Sequence, residues 1–335
     1  MRKGCVGKKV CDKVLLLQKQ GRIRVMDKRE SDWKHNRKLI AVMISITAVI
    51  IILAIGIYSW KEWKQKQEQE AARQQKIEEQ ERREQERLDT IETALTESAY
   101  GDELRTLYET YPQIETILLN IDDYPNWLLE HMIAQPETID WVVGYPDYMK
   151  QSEEEINQLA LEPVNLEQYE KNAQIPIFYQ WAPEWGYAQY GEEQIAIDGC
   201  GPTSLAMVAV GLTGDTSYTP KRVADISMEI GAYLSDTGTT WDLMEKGPAQ
   251  MGFQSWQIQN WSASAILQEL ESGHPVICSM KEGTFTTQGH FIVLAGIAED
   301  GKVLVNDPNS KIHTQTEWNA QELLDQTKGM WAFSN

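Results

Sequence analysis

Cysteine is scarce in this chain, with four in 335 residues, and that rules out a scaffold stapled by disulfides. Neither a His-Glu-x-x-His run nor a paired Cys-x-x-Cys occurs, so no metal centre is expected and no cofactor is called for. Cations are thin over most of the length. The first 38 residues hold 13 Lys and Arg against 4 Asp and Glu, leaving 18 of the 31 cations to face 46 of the 50 acids in the remainder. A body this acidic repels phosphate backbones, and nucleic acid is not expected as a partner.

The basic head and the acidic body are separated by Leu39–Trp60, a stretch of 22 residues without a charge. At the helical rise it spans about 33 Å, enough to cross a bilayer. It exceeds the usual apolar core of a signal peptide and no A-x-A-like cleavage site follows, which favours a retained anchor over a cleaved leader. Arg37 and Lys38 abut one end, Tyr58 and Trp60 mark the other, and the basic residues upstream assign the N-terminus to the cytoplasm. The expected location is therefore the cell membrane, with a single pass and the acidic body outside.

Beyond the anchor the composition changes in steps. Residues 1–38 form the cytoplasmic head, where Cys5 and Cys11 lack partners for a zinc site and read as reduced thiols. Residues 61–89, nearly all Lys, Arg, Gln and Glu, read as a helical stalk whose few apolar positions hold no heptad. Residues 90–150 carry Leu104, Leu107, Leu118, Leu128, Met132, Trp141 and Val142 at helical spacing, interrupted by Tyr-Pro at 111–112, 124–125 and 145–146. They predict a small helical segment of short helices. A spacer is its default role, with a cover for a cleft or a partner surface as alternatives. Residues 151–174 read as a linker.

From residue 175 to 335 helices come first and strands after, an α+β plan. An edge strand is expected at 175–180. Helices follow after Cys200, after Pro220, over Leu243–Met251 and over Ala263–Glu271, then strands at 275–280, 291–295 and 303–306. Trp181, Trp185 and Trp241 either line a groove or pack the core, the commoner fate at these spacings.

The run Asp198-Gly-Cys-Gly-Pro-Thr-Ser-Leu205 sets Cys200 where a helix begins, if Pro202 takes the first helical position. Unpaired N–H groups and the helix dipole there favour a thiolate, and the flanking glycines admit a close approach to the backbone. A buried cysteine in a tight turn is the plain alternative. The last two strands offer a test of chemistry. A four-residue loop at 297–300 sets His290 opposite Asp307; closure on Asp300-Gly301 sets His290 opposite Lys311 instead. Both registers fit the residues. A thiol at a helix start, an imidazole to take its proton and a carboxylate to orient that imidazole are the parts needed for nucleophilic acyl transfer.

With Tyr179-Gln-Trp181, Gly199-Cys-Gly-Pro-Thr-Ser204, Gly273-His-Pro-Val-Ile277, Gly289-His-Phe-Ile-Val-Leu294 and Val305-Asn-Asp-Pro308 in view, residues 175–335 resemble the papain-like, C39-like bacterial cysteine peptidases related to the double-glycine leader peptidases. The resemblance implies a papain-like fold, Cys200 as nucleophile, His290 as general base and then acid, Asp307 as orienter, and the Gln180 amide with the Cys200 N–H as oxyanion donors. It implies no cofactor. The family's exporters carry this domain in the cytosol fused to an ATP-binding cassette. This chain has no G-x-x-x-x-G-K-[ST] and presents the domain outside, so leader processing during export does not carry over.

His131, His274 and His313 read as structural or surface residues, and Cys278 as a small buried hydrophobe; a Cys200–Cys278 disulfide is the rival that would remove the nucleophile. The expected function is a membrane-anchored extracellular cysteine peptidase acting on a peptide or peptidoglycan-type amide. An inactive binding module and an acyltransferase built on the same residues are the alternatives. The sequence does not set the oligomeric state.

Overall fold

The computed structural model describes residues 7–335 apart from Asp236, with side chains from residue 15 onward; Cys5, and the Cys11 side chain, lie outside the described part. The chain divides into two units, residues 1–86 and 87–335. Helix α1 spans Gly7–Glu97 and supplies the described residues of the first unit. The apolar side chains of Leu39–Trp60 are all exposed along it.

The last turns of α1 belong to the second unit, where Ile91, Ala94 and Leu95 are buried. Short helices follow: α2 (Gly101–Thr110), α3 (Ile114–Leu119), α4 (Asn126–Ala134), α5 (Ile139–Val143) and α6 (Tyr145–Tyr148). The Tyr-Pro dipeptides explain their shortness. Pro125 precedes α4 and Pro146 sits in the first turn of α6, positions where the missing N–H costs nothing.

The stretch expected as a linker, 151–174, is built into the unit instead. Ser152 and Glu155 form a reciprocal capping box that starts α7 (Glu153–Leu159). Ile156, Ala160 and Val164 are buried, and Ala160 O accepts from Thr219 Oγ1 at 2.8 Å. Charge density alone does not reveal this, because one buried residue of α7, Ile156, with Ala160 at its C-cap and Val164 beyond, is enough to seat the stretch. After it β1 (Lys171–Asn172) pairs with β2 (Ile175–Pro176), which is all that forms of the strand expected at 175–180.

A short hairpin of β3 (Gln189–Tyr190) and β4 (Glu193–Gln194) leads into α8 (Ile195–Asp198) and α9 (Cys200–Thr213). α9 is apolar on every side and buried from Gly201 to Val210, as a helix at the centre of a core must be. Gly214 ends it with φ 71°, a left-handed conformation that glycine adopts at no steric cost. Then come α10 (Pro220–Glu229), β5 (Tyr233–Leu234), β6 (Gly238–Thr239), α11 (Asp242–Gln250), β7 (Gln254–Gln257) and α12 (Ala263–Glu271).

The remaining elements are β8 (Val276–Met280), β9 (His290–Ile297), β10 (Val303–Asn306), α13 (Lys311–Gln315), β11 (Glu317–Trp318), α14 (Ala320–Asp325) and β12 (Thr327–Ser334). They complete an antiparallel sheet in the order β11-β10-β9-β8-β12-β7. β7, β11 and β12 were not foreseen, and β12 lies between β7 and β8. Alternate residues of each strand feed two cores, as the two-residue strand period requires. Phe291, Val293, Ala295, Trp331 and Phe333 join the core around α9, which also takes in Leu128 and Trp141 of the helical segment. Ile292, Leu294, Cys278, Met330 and Ala332 join a second core against Ile266 of α12 and Leu323 of α14. The chain is α+β, with the sheet between helical layers.

Candidate active site

Cys200 opens α9, with Gly199 as N-cap, so the helix starts at the cysteine and Pro202 falls third. Proline is tolerated there because the first four N–H groups of a helix have no intrahelical acceptor. The flanking glycines serve the protein's own packing. A Cβ on Gly201 would lie 2.5 Å from Thr239 Cγ2, and one on Gly199 would collide with Ile195. Four residues into the helix Ser204 Oγ donates to the Phe291 carbonyl at 3.2 Å. That bond ties α9 to the strand that begins with His290.

The β9–β10 hairpin takes neither expected register. Ala298 N–H donates to Lys302 O at 2.8 Å, leaving a three-residue loop with Gly301 at φ 85°, the usual way to close such a loop. Val303 pairs with Ile297 and Leu304 with Gly296, but Val305 pairs with Leu294, so Ala295 forms a bulge on β9. Continued past Asn306, this register sets Asp307 opposite Ile292. His290 is then its diagonal neighbour, within reach of an imidazole. His290 Nε2 and Asp307 Oδ1 stand 2.6 Å apart, both side chains buried. Asn306 steadies the strand end, donating to the carbonyls of Ile175 and Pro176 and accepting from Asn172 Nδ2 at 2.8 Å.

With Nε2 facing Asp307, Nδ1 is the nitrogen left to His290, and Cys200 lines the same cleft, near enough for its side chain to act on the ring. Burial pulls the His290 pKa down, but the charge and hydrogen bond of Asp307, then those of Cys200, overcome it and raise the value to about 10. Asp307 moves the other way. Burial raises it, and the charge and hydrogen bonds of His290, with that of His313, bring it to about 2. The pair rests as imidazolium and carboxylate.

His313, read from sequence as structural or surface, reaches the same acid. Its Nδ1 stands 2.7 Å from Asp307 Oδ2, so one carboxylate is flanked by two imidazoles. Asn309 N–H donates to Oδ1 at 2.8 Å and completes its partners. Ser310 carried the available signal. It is an N-cap residue, its Oγ accepts from His313 N–H at 3.2 Å, and a helix started there folds residue 313 back toward residue 307.

Gln180 is buried near the cysteine helix, yet its Nε2 donates to Ala196 O at 2.8 Å and Ile197 O at 3.2 Å, while Oε1 has no partner. Both N–H bonds are thus committed in this state. A cleft of about 680 Å³ opens over Cys200 and His290, walled by Asp198, Trp241, Ser279 and Lys328. Trp181 and Trp185 are buried in the core, whereas Trp241 is 39% exposed and donates to Ser279 Oγ at 3.1 Å. Cys278 belongs to the second core, a free thiol pushed up to about 12 by burial. His274 bonds Glu269 at 2.9 Å and His131 packs on Trp141, each as a structural residue does.

A thiol at a helix start beside an imidazole held by a buried carboxylate, at the edge of an open cleft, can carry out nucleophilic acyl transfer. Residues 173–333 match the model of the Peptidase_C39 like family. The peptidase domain of Streptococcus ComA, a bifunctional ABC transporter of a quorum-sensing pathway, is 19% identical with a TM-score of 0.34, over 42% of this chain and 94% of that one. A C39-like peptidase from Bacillus anthracis is 16% identical with a TM-score of 0.31, over 52% and 98%. No curated protein matches the chain.

Proposed function

We propose that the chain is a membrane-anchored cysteine peptidase that hydrolyses a peptide or cell-wall amide outside the cell. His290, bonded at Nε2 to Asp307 and lining one cleft with Cys200, is the observation that carries this reading. The proton given up by Cys200 rests on His290, held as imidazolium by Asp307, and the sulfur attacks the amide carbon. Negative charge on the carbonyl oxygen is met by the Cys200 N–H and by the Gln180 amide, which must release the longer of its two bonds, that to Ile197. Such a donor is worth about 3 kcal/mol of barrier. Imidazolium then protonates the leaving amine. A water, deprotonated by the same ring, frees the acyl group and restores the resting pair of sulfur and imidazolium. Asp307 keeps the proton on Nε2 and the ring in plane.

The engaged Gln180 amide supports a second reading, a binding module with the same shell. Cys200→Ala separates them: peptide or peptidoglycan hydrolysis by the full chain falls at least about a thousandfold on loss of the nucleophile, with binding retained. Unchanged hydrolysis in that variant ends the peptidase proposal; an added amine appearing in the product identifies acyl transfer.

A further inference from the structure

Asp307 is followed by the turn at 308–310 and then by α13, only five residues long. The first N–H groups of a helix have no acceptor within it. Ser310 Oγ takes that of His313 at 3.2 Å. The other two, from Lys311 and Ile312, go to a single carboxylate oxygen, Glu137 Oε1, at 2.7 and 3.2 Å. One residue nearer the acid, Asn309 is held from the same side. Gln135 Nε2 donates to Asn309 O at 2.6 Å, and Gln135 Oε1 accepts from Asn309 Nδ2 at 3.3 Å.

Gln135 and Glu137 lie outside residues 173–333, in the helical segment that the sequence left as a spacer. Their base is firm. Gln135 closes α4, Pro136–Thr138 form a single turn, Thr138 is buried, and Leu128, Met132, Ile139 and Trp141 around them belong to the core shared with α9. The contacts to the loop are polar and directional, and two of them are N–H groups given to an anion, which are stronger than neutral bonds. Plain packing would cover the loop with apolar surface; here the backbone just after the acid is gripped at Asn309, Lys311 and Ile312.

We infer that Gln135 and Glu137 are positioning residues of the active site, and that the helical segment fixes the loop on which Asp307 and His313 ride. The inference rests on the reading of Cys200, His290 and Asp307 as nucleophile, base and orienter. Movement of the acid by an ångström loosens the His290 bond, and misplacement on that scale costs up to about a hundredfold in rate.

The test is the rate of Cys200 alkylation by iodoacetamide in the full chain, followed at the Cys200 peptide by mass spectrometry from pH 5 to 10, with the thermal midpoint measured alongside. His290→Ala is the reference for an uncoupled thiol. E137A and Q135A are expected to slow alkylation at pH 6 about tenfold and to move the pH profile toward that of His290→Ala. E137Q keeps an oxygen for the two N–H groups and is expected to restore most of the rate. Wild-type profiles in E137A and Q135A overturn the inference. So does a loss shared equally by E137Q that follows the thermal midpoint, since that is plain destabilisation. If His290→Ala itself alkylates with the wild-type profile, the assignment of the catalytic set fails, which is a different failure from that of the clamp.

Discussion

Asp307 Oδ1 stands 2.6 Å from His290 Nε2 while Oδ2 stands 2.7 Å from His313 Nδ1, and the acid between them is 1% exposed. A carboxylate so enclosed persists only because both oxygens are paired; alone, it would be protonated by its surroundings.

Stability follows from the linkage between pKa and folding. His290 is raised from an ordinary 6.5 to about 10, so its contribution is full below about 6.5 and is lost as pH rises through 10. Asp307 is lowered from 3.8 to about 2, so its contribution is present above about 3.8 and is lost as pH falls through 2. The thermal midpoint gap between the wild type and His290→Gln is therefore largest between about pH 4 and 6.5 and shrinks toward pH 10. A gap that widens above pH 8 contradicts the ion pair.

Catalysis depends on the acid in a graded way. Asp307→Ala removes the partner of both rings and is expected to cost about 10²–10⁴ in kcat/KM. Asp307→Asn keeps one oxygen that can accept from His290 Nε2–H and costs less, but it removes the charge that raises His290. The alkaline limb of activity, set by the need for imidazolium to protonate the leaving amine, then drops from near 10 toward the ordinary histidine range. His313→Phe preserves the ring contacts with Phe285 and Trp318 and leaves Oδ2 short of a donor, so its loss in kcat lies between wild type and Asp307→Asn. Equal pH profiles for wild type and Asp307→Asn rule out the coupling.

Cys200, His290 and Asp307 were legible because each sits at the end of a strongly patterned element: an apolar helix for the first, β-branched strands for the other two. The contact between His290 and Asp307 was reached by a wrong register. A bulge at Ala295 and a three-residue loop leave no mark in an alternating pattern, and across the diagonal they produce the ring still reaches the carboxylate at 2.6 Å. His313, Gln135 and Glu137 were illegible for another reason. They act through a short helix and a turn, 170 or more positions apart in the case of Gln135 with Asn309, and such meetings are made by packing rather than by local propensity. β12 was missed because Gly329 and Trp331 interrupt its alternation; Gly329 leaves room for the rings of Trp241 and Trp331, which a Cβ would strike.

Gly201 tests how tightly the nucleophile helix is seated. Its added Cβ would meet Thr239, whose Oγ1 bonds Tyr190 at 2.9 Å, and Tyr190 in turn bonds Ser227 at 2.8 Å. Alanine gains up to about 1 kcal/mol in helix propensity, but overpacking costs about 1–3 kcal/mol and has a buried polar chain to disturb. Gly201→Ala is expected to lower unfolding free energy in urea by about 1–2 kcal/mol. No loss would mean that β6 yields without strain.

The anchor makes the most exposed claim. From Leu39 to Trp60 each large apolar side chain is 49% or more exposed, along a helix whose charge-free stretch covers about 33 Å. Soluble monomers rarely expose a contiguous apolar patch of that size, and among the described residues none of it is buried, which supports the proposed bilayer anchor. Under that proposal the 13 basic residues that precede the stretch give the expected direction, N-terminus inside. The full chain is expected to pellet with membranes and to resist extraction at alkaline pH. Protease added outside intact cells should remove the body, 61–335, while an N-terminal tag stays protected. Recovery of the chain in the soluble fraction, or protection of the body from external protease, would place the cysteine cleft on the wrong side for a cell-wall substrate.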